Sequence, residues 1–208
     1  MTSEIPRWLQ IAREIQALGQ TGLHFSETDY HRQRYGRLLE LAAEIVQEKT
    51  GLEREPMALD FSRQPGYATP KVDVRGAIVQ EGRVLLVQER TDQLWCLPGG
   101  WADVGESPSE MVVREVWEES GFRVRANRLV GVFDANRQGG PLQFFHAYKL
   151  LFMCEIVEGE ARPSDETQAV QFFARDQIPP LSLQRTAARH LEAVWNFAED
   201  PSAVPVFD

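Results

Sequence analysis

The sequence predicts an α/β layered domain preceded by a smaller helical segment. Apolar residues recur at helical spacing through most of residues 1–50. From Val72 onward the chain changes to short runs rich in β-branched and aromatic residues, separated by turn residues. Helical stretches at 108–120 and 184–198 interrupt these runs. Strands interspersed with helices are typical of layered α/β or α+β domains.

The front segment predicts two helices. The first has four large residues on one face, Trp8, Ile11, Ile15 and Leu18, and Thr21-Gly22 is expected to end it. Ser26 is then expected to cap the second helix, and Gly51 to end it. Residues 52–70 contain prolines and glycines with little periodicity, which indicates a linker. We therefore expect a helical N-terminal domain with its linker at 1–66 and a second domain at 67–208.

The charge composition indicates which kinds of molecule the protein can bind. The 208 residues include 22 Lys and Arg against 31 Asp and Glu, a formal charge of −9. Such a surface repels nucleic acid, whereas a small anionic substrate would need a local cation. The N-terminus lacks the pattern of a signal peptide, and no apolar run approaches the length needed to span a membrane. We expect a cytoplasmic protein with two free thiols, Cys96 and Cys154.

Residues 100–122 are the most informative stretch. Ser107-Pro108-Ser109-Glu110 predicts a capping box with proline at the first helical position, and Gly121 predicts a left-handed stop. Within this helix Glu115, Glu118 and Glu119 fall on one face, because they are three and four residues apart. Carboxylates that close repel one another, and a divalent cation removes the conflict. A solvated acidic face is the alternative for these three residues alone.

Two features flank the acidic face. Leu97-Pro98-Gly99-Gly100 predicts a tight turn whose backbone could approach a metal or a phosphate. Glu106 precedes Arg114 by eight residues, so an ion pair between them could hold the intervening loop over the helix.

The combination resembles the signature of the Nudix hydrolase family. That signature is glycine, five residues, glutamate, seven residues, and then Arg-Glu-aliphatic-X-Glu-Glu-X-Gly-aliphatic. Its defined positions are occupied here by Gly100, Glu106, Arg114, Glu115, Val116, Glu118, Glu119, Gly121 and Phe122. Phe122 is aromatic where an aliphatic residue is usual. The resemblance implies an α/β/α sandwich around a mixed sheet.

The resemblance also implies a reaction, the attack of water on a phosphorus of a diphosphate, with Mg²⁺ or Mn²⁺ as the cofactor. It implies that Glu115, Glu118 and Glu119 are metal ligands, together with a backbone carbonyl of Gly99 or Gly100. Arg114 and Glu106 are then a structural ion pair. The general base is left open between Glu118, Glu119 and Glu166, which lies in the loop Ser164-Asp165-Glu166-Thr167.

The substrate is expected to be a small molecule, a nucleoside diphosphate joined to another group. The two front helices and the run from Pro70 to Arg75 resemble a Nudix subgroup that hydrolyses ADP-ribose and CDP-choline. ADP-ribose hydrolases often carry a proline at a set distance beyond the signature, but residues 136–140 read Asn-Arg-Gln-Gly-Gly before Pro141, so the marker is absent or displaced. This argues against ADP-ribose as the main substrate and leaves CDP-choline-like compounds open. The alternatives are hydrolysis of nucleoside triphosphates or RNA caps, and a non-catalytic nucleotide-sugar sensor.

Seven residues are candidates to contact the base or the phosphates of the substrate. Trp95, Trp101, Phe133 and Phe144 are candidates to stack on a base or to lie in the core. Lys71, Arg75 and Arg90 are candidates to face phosphates or to balance surface acids.

The front helices also predict an oligomer. Two short helices cannot bury apolar stripes in isolation, so the stripes must pack on each other, on the larger domain or on a second subunit. The resembling subgroup forms dimers through such elements. We expect a homodimer whose interface includes residues from 1–50.

Overall fold

The computed structural model describes residues 6–50, 66–103, 105–137, 145–200 and 202–208. These residues form two compact units, one containing the N-terminal helices and the other containing the strands and the remaining helices. The predicted linker at 52–70 lies mostly outside the described residues.

The helical unit contains α1 (Arg7–Phe25) and α2 (Asp29–Thr50), which pack on each other. Leu39, Ala42 and Ala43 of α2 form its buried cluster, against which Ile15 and Leu23 of α1 pack. This arrangement confirms the two predicted helices and buries part of both apolar stripes.

Two predictions of helix ends within this unit are wrong. Thr21-Gly22 does not end α1, because Gly22 lies where the two helices cross. A Cβ at Gly22 would lie 2.2 Å from Cε1 of Tyr35, so glycine here permits close helix packing. Ser26 does not cap α2. Its hydroxyl donates to the Gly22 carbonyl at the end of α1 (2.6 Å), and Thr28 accepts from the His31 N–H instead (3.3 Å).

The second unit is built on seven strands and two helices. The strands are β1 (Lys71–Gln80), β2 (Arg83–Glu89), β3 (Trp95–Cys96), β4 (Phe122–Asp134), β5 (Ala147–Gly159), β6 (Thr167–Ala174) and β7 (Val206–Phe207). The helices are α3 (Pro108–Ser120) and α4 (Ala188–Glu199). The sheet order is β3-β2-β1-β5-β4-β7, with β6 also paired to β2.

The sheet is mixed, as predicted. Parallel pairs join β1 to β5 and β4 to β7, and the other pairs are antiparallel. The hairpin between β1 and β2 turns at Glu81 and Gly82, both with positive φ (50° and 73°), as the tight turns of two-residue hairpins require.

The two helices cover opposite faces of the sheet. Alternate residues of β1 point to opposite sides, so Val74 and Ile78 pack with α3 whereas Ala77 and Val79 pack with α4. Gly76 lies directly under α3, where a Cβ would be 2.4 Å from Cγ2 of Val116. The unit is therefore the expected α/β/α sandwich, with α3 held closely against its central strands.

The closing helix begins later than predicted, at Ala188 rather than near Gln184. Residues before it form a turn in which Arg185 and Thr186 donate backbone N–H groups to the Ser182 carbonyl. The Thr186 hydroxyl accepts from the Leu97 N–H (2.9 Å), a tertiary bond that local sequence does not reveal. Both cysteines are free and buried, as expected. Among the described residues, no helix is both long and apolar enough to cross a membrane.

Candidate active site

The helix α3 has the ends that its sequence predicts. It begins at Pro108 with a capping box between Ser107 and Glu110, and it ends at Ser120. Gly121 follows in the left-handed region (φ 79°), and its N–H bonds to the Trp117 carbonyl. Because both ends are fixed, the side chains that project from α3 occupy defined positions relative to the sheet.

The glycine turn before α3 runs antiparallel to the first half of β1. Val74 N–H donates to the Gly100 carbonyl and Gly76 N–H to the Pro98 carbonyl, both at 2.8 Å. A Cβ at Gly99 (φ 139°) would lie 2.0 Å from the Val74 carbonyl oxygen, and one at Gly100 would lie 2.8 Å from a carboxylate oxygen of Glu115. Glycine is therefore required at Gly99, where a side chain would clash with the backbone of β1, while Gly100 leaves room for the Glu115 carboxylate beside the turn.

Glu119 and Glu115 are shielded from water. Glu119 is 5% exposed and accepts a hydrogen bond from the Gly99 N–H (2.9 Å). Burial raises the pKa of Glu119 to about 8, although the nearby Arg75 cation and the Gly99 bond oppose the rise. Burial also raises the pKa of Glu115; the charges of Glu118 and Glu166 add to the effect, while Arg114 and Arg75 oppose it.

Arg114 is surrounded by acids. Its guanidinium donates to both carboxylate oxygens of Glu106 (3.0–3.2 Å), to Asp103 (2.8 Å) and to Glu118 (3.0 Å). One of its nitrogens also lies 3.3 Å from Glu115. The structure thus brings Arg114 and Glu106 together, and Arg114 holds the loop of Asp103 and Glu106 against α3.

The acids of α3 and of the loop before β6 line one cleft. The cleft has a volume of about 420 Å³ and is lined by Arg114, Glu115, Trp117, Glu118, Glu119, Arg162, Ser164, Asp165 and Glu166. The structure therefore brings the loop acid Glu166 together with the three signature acids, although about fifty residues separate them. Five acids and two arginines give this lining an excess of negative charge, which a divalent cation would offset.

The donor set fits a hard divalent cation, because it consists only of oxygens. Among the described residues, however, no three His, Cys, Asp or Glu side chains already surround a single point that could hold a metal ion. The physical reason lies in their present partners: Glu118 turns toward Arg114 and Glu119 toward Gly99. Cation binding would therefore reorient these side chains. The Gly100 carbonyl, which accepts from Val74, has a second lone pair available.

Two lining residues, Trp117 and Arg162, were not predicted from the sequence as part of the site. Arg162 belongs to the loop between β5 and β6, as do Ser164 and Asp165 of the predicted loop, but nothing local marks Arg162 as part of the cleft. Trp117 could have been predicted from the sequence, because it lies between the signature acids on α3. The structure leaves 37% of it exposed.

Two of the three cationic candidates have partners outside the expected roles. Arg75 is 5% exposed and neither faces the solvent nor balances a surface acid. Its guanidinium makes two bonds to the buried Asp73 (2.9 and 2.8 Å) and one to the Leu97 carbonyl (3.2 Å). The guanidinium of Arg90 donates to the Ser164 carbonyl.

The aromatic candidates differ in how far they are buried. Phe133 is buried in the core, and Trp95 packs edge-on against Phe173 with ring centroids 4.7 Å apart. Trp101, which follows the glycine turn, is 50% exposed. Phe144 lies outside the described residues.

The role of Arg114 can be tested by hydrogen exchange. Arg114→Ala removes the bonds that hold Asp103 and Glu106, so we expect faster exchange of the amides between Gly100 and Glu106, together with lost activity. Arg125→Ala removes an exposed ion pair to Glu155 and serves as the control, for which exchange in this loop should not change. Lost activity with unchanged exchange would indicate instead that Arg114 contacts the substrate directly.

The buried Glu119 predicts a pH-dependent stability in EDTA. Its pKa is about 8 in the folded protein against an ordinary value of 4.5, so between these values the folded state binds more protons than the unfolded state. The free energy of unfolding should therefore fall as the pH rises from about 4.5 to about 8. Glu119→Gln should flatten this slope in urea unfolding measured at several pH values. Equal slopes for the two proteins would show that Glu119 is not the group responsible.

Comparison with known proteins identifies the family that has this site. Residues 69–194 match the NUDIX domain, and residues 6–59 match Nudix_N, described as a UDP-X-like, N-terminal oligomerisation domain. The Bacillus subtilis protein YjhB, provisionally named an ADP-ribose pyrophosphatase, is 39% identical over 97% of both chains.

Two solved structures are also similar. The crystal structure of an ADP-ribose pyrophosphatase from Streptococcus suis is 40% identical, covers 67% of this chain and all of its own, and has a TM-score of 0.62. The crystal structure of a UDP-X diphosphatase is 33% identical, covers 97% of this chain and 98% of its own, and has a TM-score of 0.64. With its signature helix, its sandwich fold and these matches along nearly its whole length, the chain belongs to the Nudix family and is a Nudix pyrophosphohydrolase.

Proposed function

We propose that this enzyme hydrolyses the diphosphate bond of a nucleoside diphosphate joined to a second group, with Mg²⁺ or Mn²⁺ as the cofactor. One observation supports this proposal most directly: Glu115, Glu118 and Glu119 of α3 line the same cleft as Glu166 of the loop before β6. Such a set of acids suits a reaction in which metal ions and a base act on the same phosphorus.

The residues proposed to hold the metal are Glu115, Glu118 and Glu119, with the carbonyl of Gly99 or Gly100. When bound, the cation orients the phosphate oxygens, lowers the pKa of the attacking water and offsets developing charge. Charge supports this assignment. The cleft lining contains five acids against two arginines, so an anionic diphosphate would be repelled without cations.

The chemical step proposed for the cleft is hydrolysis of the diphosphate by one water molecule. A bond forms between the water oxygen and one phosphorus, and the bridging P–O bond breaks with its electron pair going to the leaving phosphate. The products are a nucleoside monophosphate and a phosphorylated fragment. The proton of the water goes to a carboxylate, for which we propose Glu166, because it lines the same cleft whereas Glu118 and Glu119 are already proposed as metal ligands. Glu118 and Glu119 are the alternative bases.

The second group of the substrate is proposed from relatives. ADP-ribose occurs in the names of the B. subtilis and S. suis proteins, and UDP-X in that of the third relative. We propose ADP-ribose or a UDP-linked compound as the substrate. CDP-choline, which the displaced proline left open, occurs in none of these three names, and Pro141 itself lies outside the described residues.

A substrate panel tests this proposal. ADP-ribose, a UDP-sugar, CDP-choline and dGTP would each be incubated with Mg²⁺, with Mn²⁺ and with EDTA, and the products separated by chromatography. We expect metal-dependent formation of a nucleoside monophosphate from at least one of the first three compounds. Turnover of dGTP alone, with release of pyrophosphate, would contradict the proposed substrate class and support the triphosphate alternative.

The metal assignment predicts the effect of removing one carboxylate charge. Glu118→Gln and Glu119→Gln should each reduce kcat by at least about 10²-fold at saturating Mg²⁺, with the fold unchanged by circular dichroism. Glu192→Gln, which changes an exposed acid on α4 in the same way, is the matched control and should keep near-normal kcat. Near-normal turnover by both signature variants would refute the assignment.

We also propose that the protein is a homodimer whose interface includes residues from 1–50. The match of residues 6–59 to an oligomerisation domain supports this. So does the helical unit itself, since packing α1 on α2 leaves Leu18, Phe25 and Tyr30 between 58% and 67% exposed. Large exposed apolar groups on one small unit are typical of an interface.

The test of the dimer is light scattering at micromolar concentration. The full-length protein should have twice the monomer mass, and a variant lacking residues 1–50 should have the mass of one chain. The Leu18→Glu and Phe25→Glu variants should shift the mass toward monomer without the truncation. A monomeric full-length protein would refute the dimer, and a truncated protein that remains dimeric would place the interface elsewhere.

A further inference from the structure

The loop between β5 and β6, residues 160–166, lies across the C-terminal end of α3. The last carbonyls of a helix have no partners within the helix and must find them elsewhere. Here the Arg162 N–H donates to the Ser120 carbonyl (2.9 Å), and the Thr167 hydroxyl donates to the Glu119 carbonyl (2.7 Å). The loop that brings Glu166 to the cleft is therefore bonded to the end of the helix that carries the signature acids.

Gly121 makes this crossing possible. A Cβ at Gly121 would lie 2.6 Å from the Glu160 carbonyl oxygen and 2.8 Å from the Cβ of Arg162. Its left-handed φ already favours glycine, and the crossing loop excludes a side chain independently. The end of α3 and the loop are thus in direct backbone contact.

The Thr167 hydroxyl is the centre of the bonding between loop and helix. It donates to Glu119 and accepts from the N–H of Ser164 (3.0 Å) and from the Ser164 hydroxyl (3.1 Å). The Ser164 hydroxyl in turn accepts the N–H groups of Glu166 and Thr167, both at 3.1 Å. A hydroxyl has one donor and two acceptor positions, so both hydroxyls are fully used.

We infer that Thr167 is a positioning residue that sets the distance between Glu166 and the acids of α3. The path is continuous: the Glu119 carbonyl binds the Thr167 hydroxyl, which binds Ser164, whose hydroxyl binds the Glu166 N–H. The Arg90 N–H holds the Glu166 carbonyl from the other side (2.9 Å), so the backbone of Glu166 is fixed at both ends. The inference rests on the proposed function, because it matters for turnover only if Glu166 acts in the cleft.

The position of Thr167 suits this role. It is fully buried, so no water competes for its hydroxyl. It is also the first residue of β6 and pairs with Glu89 of β2, which ties the chain of bonds to the sheet. A β-branched residue in a strand has few side-chain rotamers, which keeps the hydroxyl directed at α3.

The first experiment replaces Thr167. Valine has nearly the same shape without the hydroxyl, so Thr167→Val should lower kcat about 10-fold or more while KM for the best compound of the panel changes less than about three-fold. Thr167→Ser keeps the hydroxyl and should recover most of the lost kcat. Ser182→Ala removes another buried hydroxyl, bonded to Asp92 outside the cleft, and should leave kcat unchanged at a similar cost in thermal stability.

A double-mutant cycle with Glu166→Gln decides whether Thr167 acts through Glu166. If it does, the double variant should have about the same kcat as Glu166→Gln alone, because the loop then has no base left to position. A multiplicative loss in the double variant, normal kcat in Thr167→Val, or no recovery by Thr167→Ser would each overturn the inference.

Failure of the proposed function would appear as no hydrolysis of the three diphosphate compounds by the unsubstituted enzyme, whereas the following outcomes concern only the base and the inference. Normal kcat in Glu166→Gln would remove the proposed base and the inference with it, whereas low kcat in Glu166→Gln beside normal kcat in Thr167→Val would remove the inference alone. If Thr167→Val does not fold, Ser164→Ala replaces it in the same cycle. It removes the bond to the Glu166 N–H without touching α3, and a multiplicative loss there would overturn the inference equally.

Discussion

The constraint on which this structure depends is the repulsion between carboxylates held in one cleft. Glu115, Glu118, Glu119 and Glu166 line the same 420 Å³ space in a protein whose net charge is already −9. Burial is the larger cause of the raised pKa of Glu115, and the charges of Glu118 and Glu166 add to it. The chain does not remove the conflict by neutralising every acid. Arg114 pairs with Glu118 and lies 3.3 Å from Glu115, and Glu119 accepts a single backbone N–H, but burial still leaves the pKa of both Glu115 and Glu119 raised.

β1 supplies the frame that makes this distribution of partners possible. One face of the strand carries Val74, Gly76 and Ile78 under α3. Asp73 and Arg75 lie on the other face, where they form a buried ion cluster with Lys149 of β5. Arg75 also binds the Leu97 carbonyl at the start of the glycine turn, so the turn is bonded to β1 through both backbone and side chain. A buried cluster with two cations and one anion also places positive charge behind the acids, and Arg75 accordingly opposes the rise in the pKa of Glu119.

The parts of the structure that the sequence predicts best are those whose causes are local. The ends of α3 are correct because a capping box, a proline and a left-handed glycine all lie within a few residues of those ends. The same kind of reasoning fails at Gly22, where glycine serves a helix crossing. It cannot detect the bond between Thr186 and Leu97, which are 89 residues apart in the chain. Glu166 could be named as one candidate among several, but its distance from α3 is set by tertiary bonds that no local pattern encodes.

We expect the reaction and the substrate specificity of this enzyme to depend on different parts of the cleft. We expect the reaction to depend on the signature helix, the glycine turn and the acids of that helix, whose positions follow from short-range sequence patterns. Trp117 and Arg162 also line the cleft but occupy positions that the signature does not specify, and we propose that such residues recognise the group beyond the diphosphate. On this proposal, substitutions at such positions would change the accepted compound from ADP-linked to UDP-linked while the acids stay the same. We therefore expect specificity to be set by side chains at the margin of the cleft, where metal binding does not constrain the sequence.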